Sequence, residues 1–325
     1  MFVTGGSGFI GTNLIEVYMA EGTPVASFDQ RPPRIASHRS IWKQGDVRDE
    51  ERLSAEIAAF VPTVAINLAA RTDLQGQSVA DYSSNVLGVQ NLVHATGRLA
   101  APPTTIFASS RLVCEIGYVP RSDTDWRPST PYGSSKVRGE QIVREQSPDV
   151  PWVITRPTSI WGPWFGVPYR NFFEAVRAGR YVHPRGRQIR KSFGYVENTV
   201  FQLQRLARAP TDAIAGRVLY LADYEPLEVG ELASAITRTE GNTGVRSVPL
   251  SLLRLMGWAG DAAQRAGWKE PPLTSFRLNN LLTEMIFDLE PMRAVVGELP
   301  FDWSEGVRRT LRWLETEQLD ARLSA

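Results

Sequence analysis

Residues 1–22, MFVTGGSGFIGTNLIEVYMAEG, place three glycines, Gly5, Gly8 and Gly11, three residues apart, between a short apolar run and a segment with apolar residues at helical spacing. A strand, a glycine turn and a helix in that order form a corner at which backbone can approach a phosphate closely. The helix N-terminus at such a corner presents free N–H groups and a partial positive charge. The periodicity predicts a helix over 11–21 that stops at Gly22.

Outward from this corner, strands and helices alternate. PVASFD ends a second strand at Asp29, SIWKQGDVRD supplies a third, and a helix follows over 50–60. PTVAINLAA is apolar almost throughout, as a strand covered on both faces must be. A helix over 80–99, the strand TTIFASS, a helix over 132–146 and the strand PWVITRP complete the series. The pattern predicts an α/β fold, a doubly wound parallel sheet of Rossmann type, over residues 1–160. TSIWGPWFGVPYRNFF, rich in Gly, Pro and aromatics without a clean period, reads as a structured loop region. GRVLYLAD reads as a late strand, so that residues 191–224 return to the sheet. Residues 161–190 and 225–325 are then a smaller, mostly helical substrate-binding region, with breaks at Pro249, Pro271, Pro291 and Pro300.

With 325 residues, 42% hydrophobic and 22% charged, the chain has the composition of a globular protein with a sizeable core. A net charge of +1 gives no argument for nucleic acid or for an anionic membrane as partner. The single cysteine, Cys114, excludes an internal disulfide and reads as a buried small hydrophobe. No apolar run approaches the roughly 20 residues of a membrane span, and the glycine turn arrives too early for a signal peptide. A cytoplasmic location is expected. No His/Cys/Asp cluster has metal-ligand spacing, so no metal is expected.

Asp29 sits at the end of the second strand, where a carboxylate can accept the ribose hydroxyls of NAD and repel the 2′-phosphate of NADP. Arg31 and Arg34 lie close enough in sequence to leave NADP open. In STPYGSSKVRGE, Tyr132 and Lys136 are four residues apart, hence on one helix face. A phenol with a pKa near 10 is a poor base at neutral pH, and a neighbouring ammonium stabilises its phenolate. Only four of the 36 basic residues are lysines, so lysine at this position is an informative choice. Ser110 in IFASSRLVC lies just past the end of a buried strand, where ligands of open parallel sheets bind. Its hydroxyl could hold the reacting oxygen.

TGGSGFIG, Asp29, GDVRD, NLAA, ASSRLV, PYGSSK and TRPTSIWGP, in this order, resemble the extended short-chain dehydrogenase/reductase family. Its best-known members are NAD-dependent nucleotide-sugar epimerases, dehydratases and reductases. The likeness runs from residue 2 to about 200 and weakens toward the end. It implies catalytic roles for Ser110, Tyr132 and Lys136. It implies cofactor contacts for Gly5, Gly8, Phe9, Ile10 and Gly11, and for Asp29, Asp46 and Val47 (the last two at the adenine). Leu68, Ala69 and Ala70 would meet the middle of the cofactor and Pro157 the nicotinamide, with Asn85 on the helix behind the site. A homodimer is the assembly the resemblance implies. Arg111 and Leu112 stand where 4,6-dehydrating members carry an Asp-Glu pair, which argues against dehydration.

Arg177, Arg180, Arg185, Arg187, Arg190 and Lys191 crowd a segment without an acid from 175 to 196, which suggests an anionic partner. By resemblance, Asn171, Arg187, Lys191 and Arg277 would hold a nucleotide-diphosphate sugar, with Arg71 pointing near it. His183 reads as a surface histidine. A hydroxysteroid or other apolar-alcohol dehydrogenase is the alternative, favoured by Trp161 and Trp164 near the site. A catalytically silent dinucleotide-binding regulator is the third reading.

Overall fold

The computed structural model describes residues 1–147, 150–241, 244–268, 271 and 273–323. In chain order the first strands are β1 (Phe2–Thr4), β2 (Ala26–Asp29), β3 (Trp42–Gln44), β4 (Val64–Asn67), β5 (Thr104–Ala108), β6 (Trp152–Pro157) and β7 (Ser159–Trp161). They are followed by β8 (Val182–Pro184), β9 (Arg190–Lys191), β10 (Phe193–Tyr195), β11 (Arg217–Leu221), β12 (Leu227–Glu228) and β13 (Arg246–Val248). The helices of the first half are α1 (Phe9–Ala20), α2 (Glu50–Phe60), α3 (Ser83–Gly97) and α4 (Pro131–Gln146). The later ones are α5 (Tyr169–Arg177), α6 (Val196–Arg208), α7 (Thr211–Ile214), α8 (Val229–Thr239), α9 (Leu250–Arg265), α10 (Ser275–Leu282), α11 (Glu290–Val296) and α12 (Trp303–Leu323).

Seven strands pair in the order β11-β6-β5-β4-β1-β2-β3, all parallel. The strand order reverses direction beside β1, and the crevice at the carboxyl ends there is where open α/β sheets bind ligands. One face packs Leu14, Ile15 and Leu203 of α1 and α6 against Val3, Ile66 and Ile106. The other packs Leu53, Ile57, Leu92 and Ile142 of α2, α3 and α4 against Phe2, Phe28 and Ile154. A third core, with Trp161, Phe173, Tyr195, Leu232 and Leu311, lies in the second lobe.

The segment expected to be irregular after Pro157 is more ordered than its composition implies. Residues 159–161 form β7, which pairs in parallel with β10, and residues 169–177 form α5. A three-residue strand buried on both faces shows no period, which is why alternation did not reveal it. Trp161 is fully buried against Phe173 and Tyr195. This corrects its expected place: it belongs to the core of the second lobe and does not line the crevice.

Candidate functional site

The glycine turn is built for close approach. Gly5 has φ of +77°, and a Cβ there would stand 2.5 Å from the backbone of Leu68 and Ala69. A Cβ on Gly11 would stand 2.4 Å from the Gly5 carbonyl oxygen. The N-cap of α1, Gly8, offers no side-chain acceptor, so the first amides of the helix face the crevice uncapped. The Asp29 carboxylate is buried and is oriented by the backbone N–H groups of Ser7 (3.0 Å) and Arg31 (2.9 Å). Arg34 donates from Nε to the Ser7 carbonyl (3.1 Å) and from Nη1 to the Trp164 carbonyl (2.7 Å), strapping the turn to the loop after β7. Val47 is buried and its carbonyl accepts from Asn91 Nδ2 at 2.9 Å, while Asp46 is held by the Arg48 guanidinium beside it. That contact keeps the Asp46 carboxyl below its ordinary range.

The helix α4 begins with Thr130, whose hydroxyl accepts from Gly133 N at 3.0 Å, followed by Pro131 at the first helical position. A Cβ on Gly133 would lie 2.2 Å from the Leu112 carbonyl oxygen, so this glycine lets the first turn of α4 press on residues 111–113. That contact brings Tyr132 beside Ser110, and both are buried. The Tyr132 ring packs edge-on against Tyr82 with centroids 5.8 Å apart. Lys136 Nζ lies 6.0 Å from the Tyr132 ring centre and donates to the Ala108 carbonyl at 2.9 Å. Burial pushes the Tyr132 phenol up to about 12, opposed by Ser110 and by the charge of Arg111. Burial likewise pushes the Lys136 ammonium down to about 8, opposed by Glu140.

Asn85 sits behind this pair with its hydrogen-bonding capacity engaged. It accepts from Arg71 N (2.8 Å) and donates to the Arg71 carbonyl and to Ser135 Oγ (both 3.0 Å). Ser135 Oγ in turn donates to the Tyr132 carbonyl at 2.7 Å. Asn85 thus joins the loop after β4 to α4.

Two features escaped sequence reasoning. Glu140, one helical turn beyond Lys136, pairs with Arg156 of β6 at 2.7 Å, and both side chains are 1% exposed. Its carboxylate also accepts from Ser109 Oγ (2.6 Å) and Trp126 Nε1 (2.8 Å), which locks α4 to the ends of β5 and β6. The i+4 spacing from Lys136 was visible, but no local signal names Arg156 as the partner. The second feature is Arg111, which is buried beside Tyr132 and against the Tyr169 phenol. Burial lowers its pKa, and among the described residues no carboxylate acts on its charge.

Residues 1–221 match the NAD dependent epimerase/dehydratase family. The chain belongs to this family. The enzyme is 28% identical over 321 residues to a 3 beta-hydroxysteroid dehydrogenase/Delta 5→4-isomerase of Mycobacterium tuberculosis, covering 92% of this chain and 86% of the relative. It is 26% identical over 325 residues to the N-acetyl-alpha-D-glucosaminyl-diphospho-ditrans,octacis-undecaprenol 4-epimerase of Escherichia coli O157:H7, covering 96% and 94%. Its fold is that of the UDP-glucose 4-epimerase of Thermus thermophilus in complex with NAD, with a TM-score of 0.71, 21% identity and coverage of 97% and 98%.

NAD is the family's cofactor, and the close-approach glycines, the uncapped start of α1 and the oriented Asp29 fit it. Gly5, Gly8, Phe9, Ile10 and Gly11 would hold its pyrophosphate and Asp29 a ribose. Asp46 and Val47 stand at the carboxyl side of β3, Leu68–Ala70 follow β4, and Pro157 ends β6, all at the crevice end of the sheet.

The residues expected on the substrate side are less concentrated than the sequence implies. Lys191 alone among them is buried; it lies close to Arg111 and donates from Nζ to the Asn280 carbonyl of α10. Burial, with Arg111 adding to it, pushes the Lys191 ammonium down to about 7. Asn171, Arg187 and Arg277 are exposed, and Arg277 Nη1 donates to the Pro271 carbonyl at 2.6 Å. Arg71 is committed to Asp73 (2.8 Å) and lies over the Tyr82 ring. Arg177 pairs with Glu240 at 2.6 Å. His183 is not the surface histidine expected: its side chain is 14% exposed, between Tyr181 and the Arg187 carbonyl (each 3.0 Å) and near Glu228.

Proposed function

We propose that this enzyme oxidises or reduces a sugar carbon of a diphosphate-linked sugar, as an epimerase or a reductase. The observation that carries the reading is the pair Arg111, buried beside Tyr132, and Lys191, buried close to Arg111, neither with a carboxylate partner among the described residues. Like charges held together out of water are costly, and an anionic group of the substrate offsets that cost. Ser110, Tyr132 and Lys136 are the proposed catalytic residues. Tyr132 Oη takes the proton of the substrate hydroxyl while Ser110 Oγ holds the oxygen in line. Lys136, anchored at Ala108, stabilises the phenolate. Bound NAD supplies the two-electron acceptor, and the positive charge of its oxidised ring lowers the phenol pKa that burial raises. The Escherichia coli relative, named for a sugar on a diphospho-lipid, supports the reading.

The second reading, an apolar-alcohol dehydrogenase, is favoured by the outward placement of Asn171, Arg187 and Arg277 and by the name of the Mycobacterium tuberculosis relative. A thermal-shift panel at saturating NAD separates the two. It compares UDP-, GDP-, dTDP- and CDP-sugars, a short-chain polyprenyl-diphosphate sugar and a 3β-hydroxysteroid. Stabilisation by a diphosphate sugar is expected; stabilisation by the steroid alone would replace the first reading with the second.

A further inference from the structure

The helix α9 carries apolar residues well beyond the one side that the fold covers. Leu253, Gly257 and Gly260 form its buried strip. A Cβ on Gly260 would meet the Leu273 carbonyl oxygen and one on Gly257 the backbone of Ser275, so α9 lies close against the start of α10. Opposite that strip, Leu252, Leu255, Met256 and Ala259 recur at i, i+3, i+4 and i+7, and all are exposed. Trp258 (65% exposed), Trp268 (57%) and Phe276 (59%) extend the same hairpin outward.

The charge around this face has one sign in excess. Among the described residues, α9 and α10 carry Arg254, Arg265 and Arg277 against Asp261. Asp261 Oδ1 is taken up within the hairpin, where it accepts from Ser275 N at 2.9 Å. Exposed leucines and methionine, with tryptophans and arginines at their margin, are the composition of a helix lying in a membrane interface. A second copy of the same face would set arginine against arginine, whereas an anionic bilayer complements both its charge and its apolar surface.

The hairpin also borders the reaction centre. The inner helix α10 receives the Lys191 ammonium at Asn280, and its Leu281 and Leu282 pack on the second-lobe core. Through α10 the hairpin thus adjoins Lys191, which lies close to Arg111.

We propose that the α9–α10 hairpin docks this enzyme on the surface of an anionic lipid bilayer, with α9 in the interface. Among the described residues no helix is long and apolar enough to cross a membrane, so the attachment is peripheral. The proposal stands apart from the substrate reading, because binding is measured without substrate. The test is co-sedimentation of the full chain with vesicles of 70% phosphatidylcholine and 30% phosphatidylglycerol, and with phosphatidylcholine alone. The wild type is expected to pellet with the anionic vesicles at least about tenfold more strongly than with neutral ones, and less in high salt. Leu255→Ser/Trp258→Ser and, separately, Arg254→Glu/Arg265→Glu should each lose at least about tenfold in binding while keeping the wild-type Tm. Wild type that stays in the supernatant, or either variant binding as wild type does, overturns the proposal. So does a concentration-dependent dimer that both variants abolish, because the covering surface is then a second copy.

Discussion

The helix α4 and the α9–α10 hairpin are two answers to the same problem of covering a helix. Toward the middle of α4, buried charged groups are closely matched: Glu140 meets Arg156, Ser109 and Trp126, and Lys136 meets the Ala108 carbonyl. Around α9 the disposition is reversed, with leucine, methionine and tryptophan in the open and glycines at the covered strip. Removing one partner of a matched buried pair is costly, so the Glu140 end of α4 is held firmly in place. An apolar face left open stabilises nothing within the chain, so the second region is shaped for something outside it.

The sharpest way to break this contrast is at the phenol. Tyr132→Phe should lower turnover of the true substrate by about 10²–10⁴-fold, with Tm and NAD affinity close to wild type. Steady-state kinetics and a thermal scan with NAD check both parts. A variant within a few-fold of wild type would show that Tyr132 is not the acid/base.

A somewhat smaller effect tests whether the α4 surroundings owe their rigidity to matched charges. Glu140→Gln leaves the Arg156 guanidinium buried against a neutral amide and should cost about 3–5 kcal/mol of stability. Chemical denaturation measures it. Substituting a residue of the open face, as in Leu255→Ser, should change stability by no more than about 0.5 kcal/mol. Equal losses at the two places would erase the distinction between them.

The smallest effect is read in pH. The Lys191 ammonium titrates at about 7 in the free enzyme, pushed down first by burial and then by Arg111. Its charge, and with it the attraction for an anionic substrate, is present below that value and lost above it. KM should therefore rise by about tenfold between pH 7 and 9, and Lys191→Met should flatten that rise while starting from a higher KM. Linkage gives a second sign. A lysine whose folded pKa lies below its unfolded one leaves the folded state binding fewer protons across that window. In the absence of substrate its contribution to stability thus increases as pH climbs from 7 toward the unfolded value.

The layout of much of the candidate site was legible because its signals are local. The glycine turn needs backbone freedom at Gly5 and Gly11, and Asp29 needs only to end the next strand. Tyr132 and Lys136 need one helical turn between them. The short order hidden in 159–177 was not legible, because β7 pairs with a strand more than thirty residues away. Nor did net charge reveal the hairpin: a chain total of +1 averages a basic, apolar surface against acids elsewhere.

The sequence by itself determined the parallel α/β sheet, the close-packed glycine corner and the one-turn spacing of Tyr132 and Lys136. Each rests on steric and hydrogen-bonding rules that act within a few residues of the chain. Only the tertiary structure decided that Arg156 completes Glu140, that Arg111 stands beside Tyr132 near Lys191, and that the apolar face of α9 looks outward. Those facts concern which groups share a buried space and which face a neighbour covers. Packing between distant segments sets both, and no local spacing encodes them.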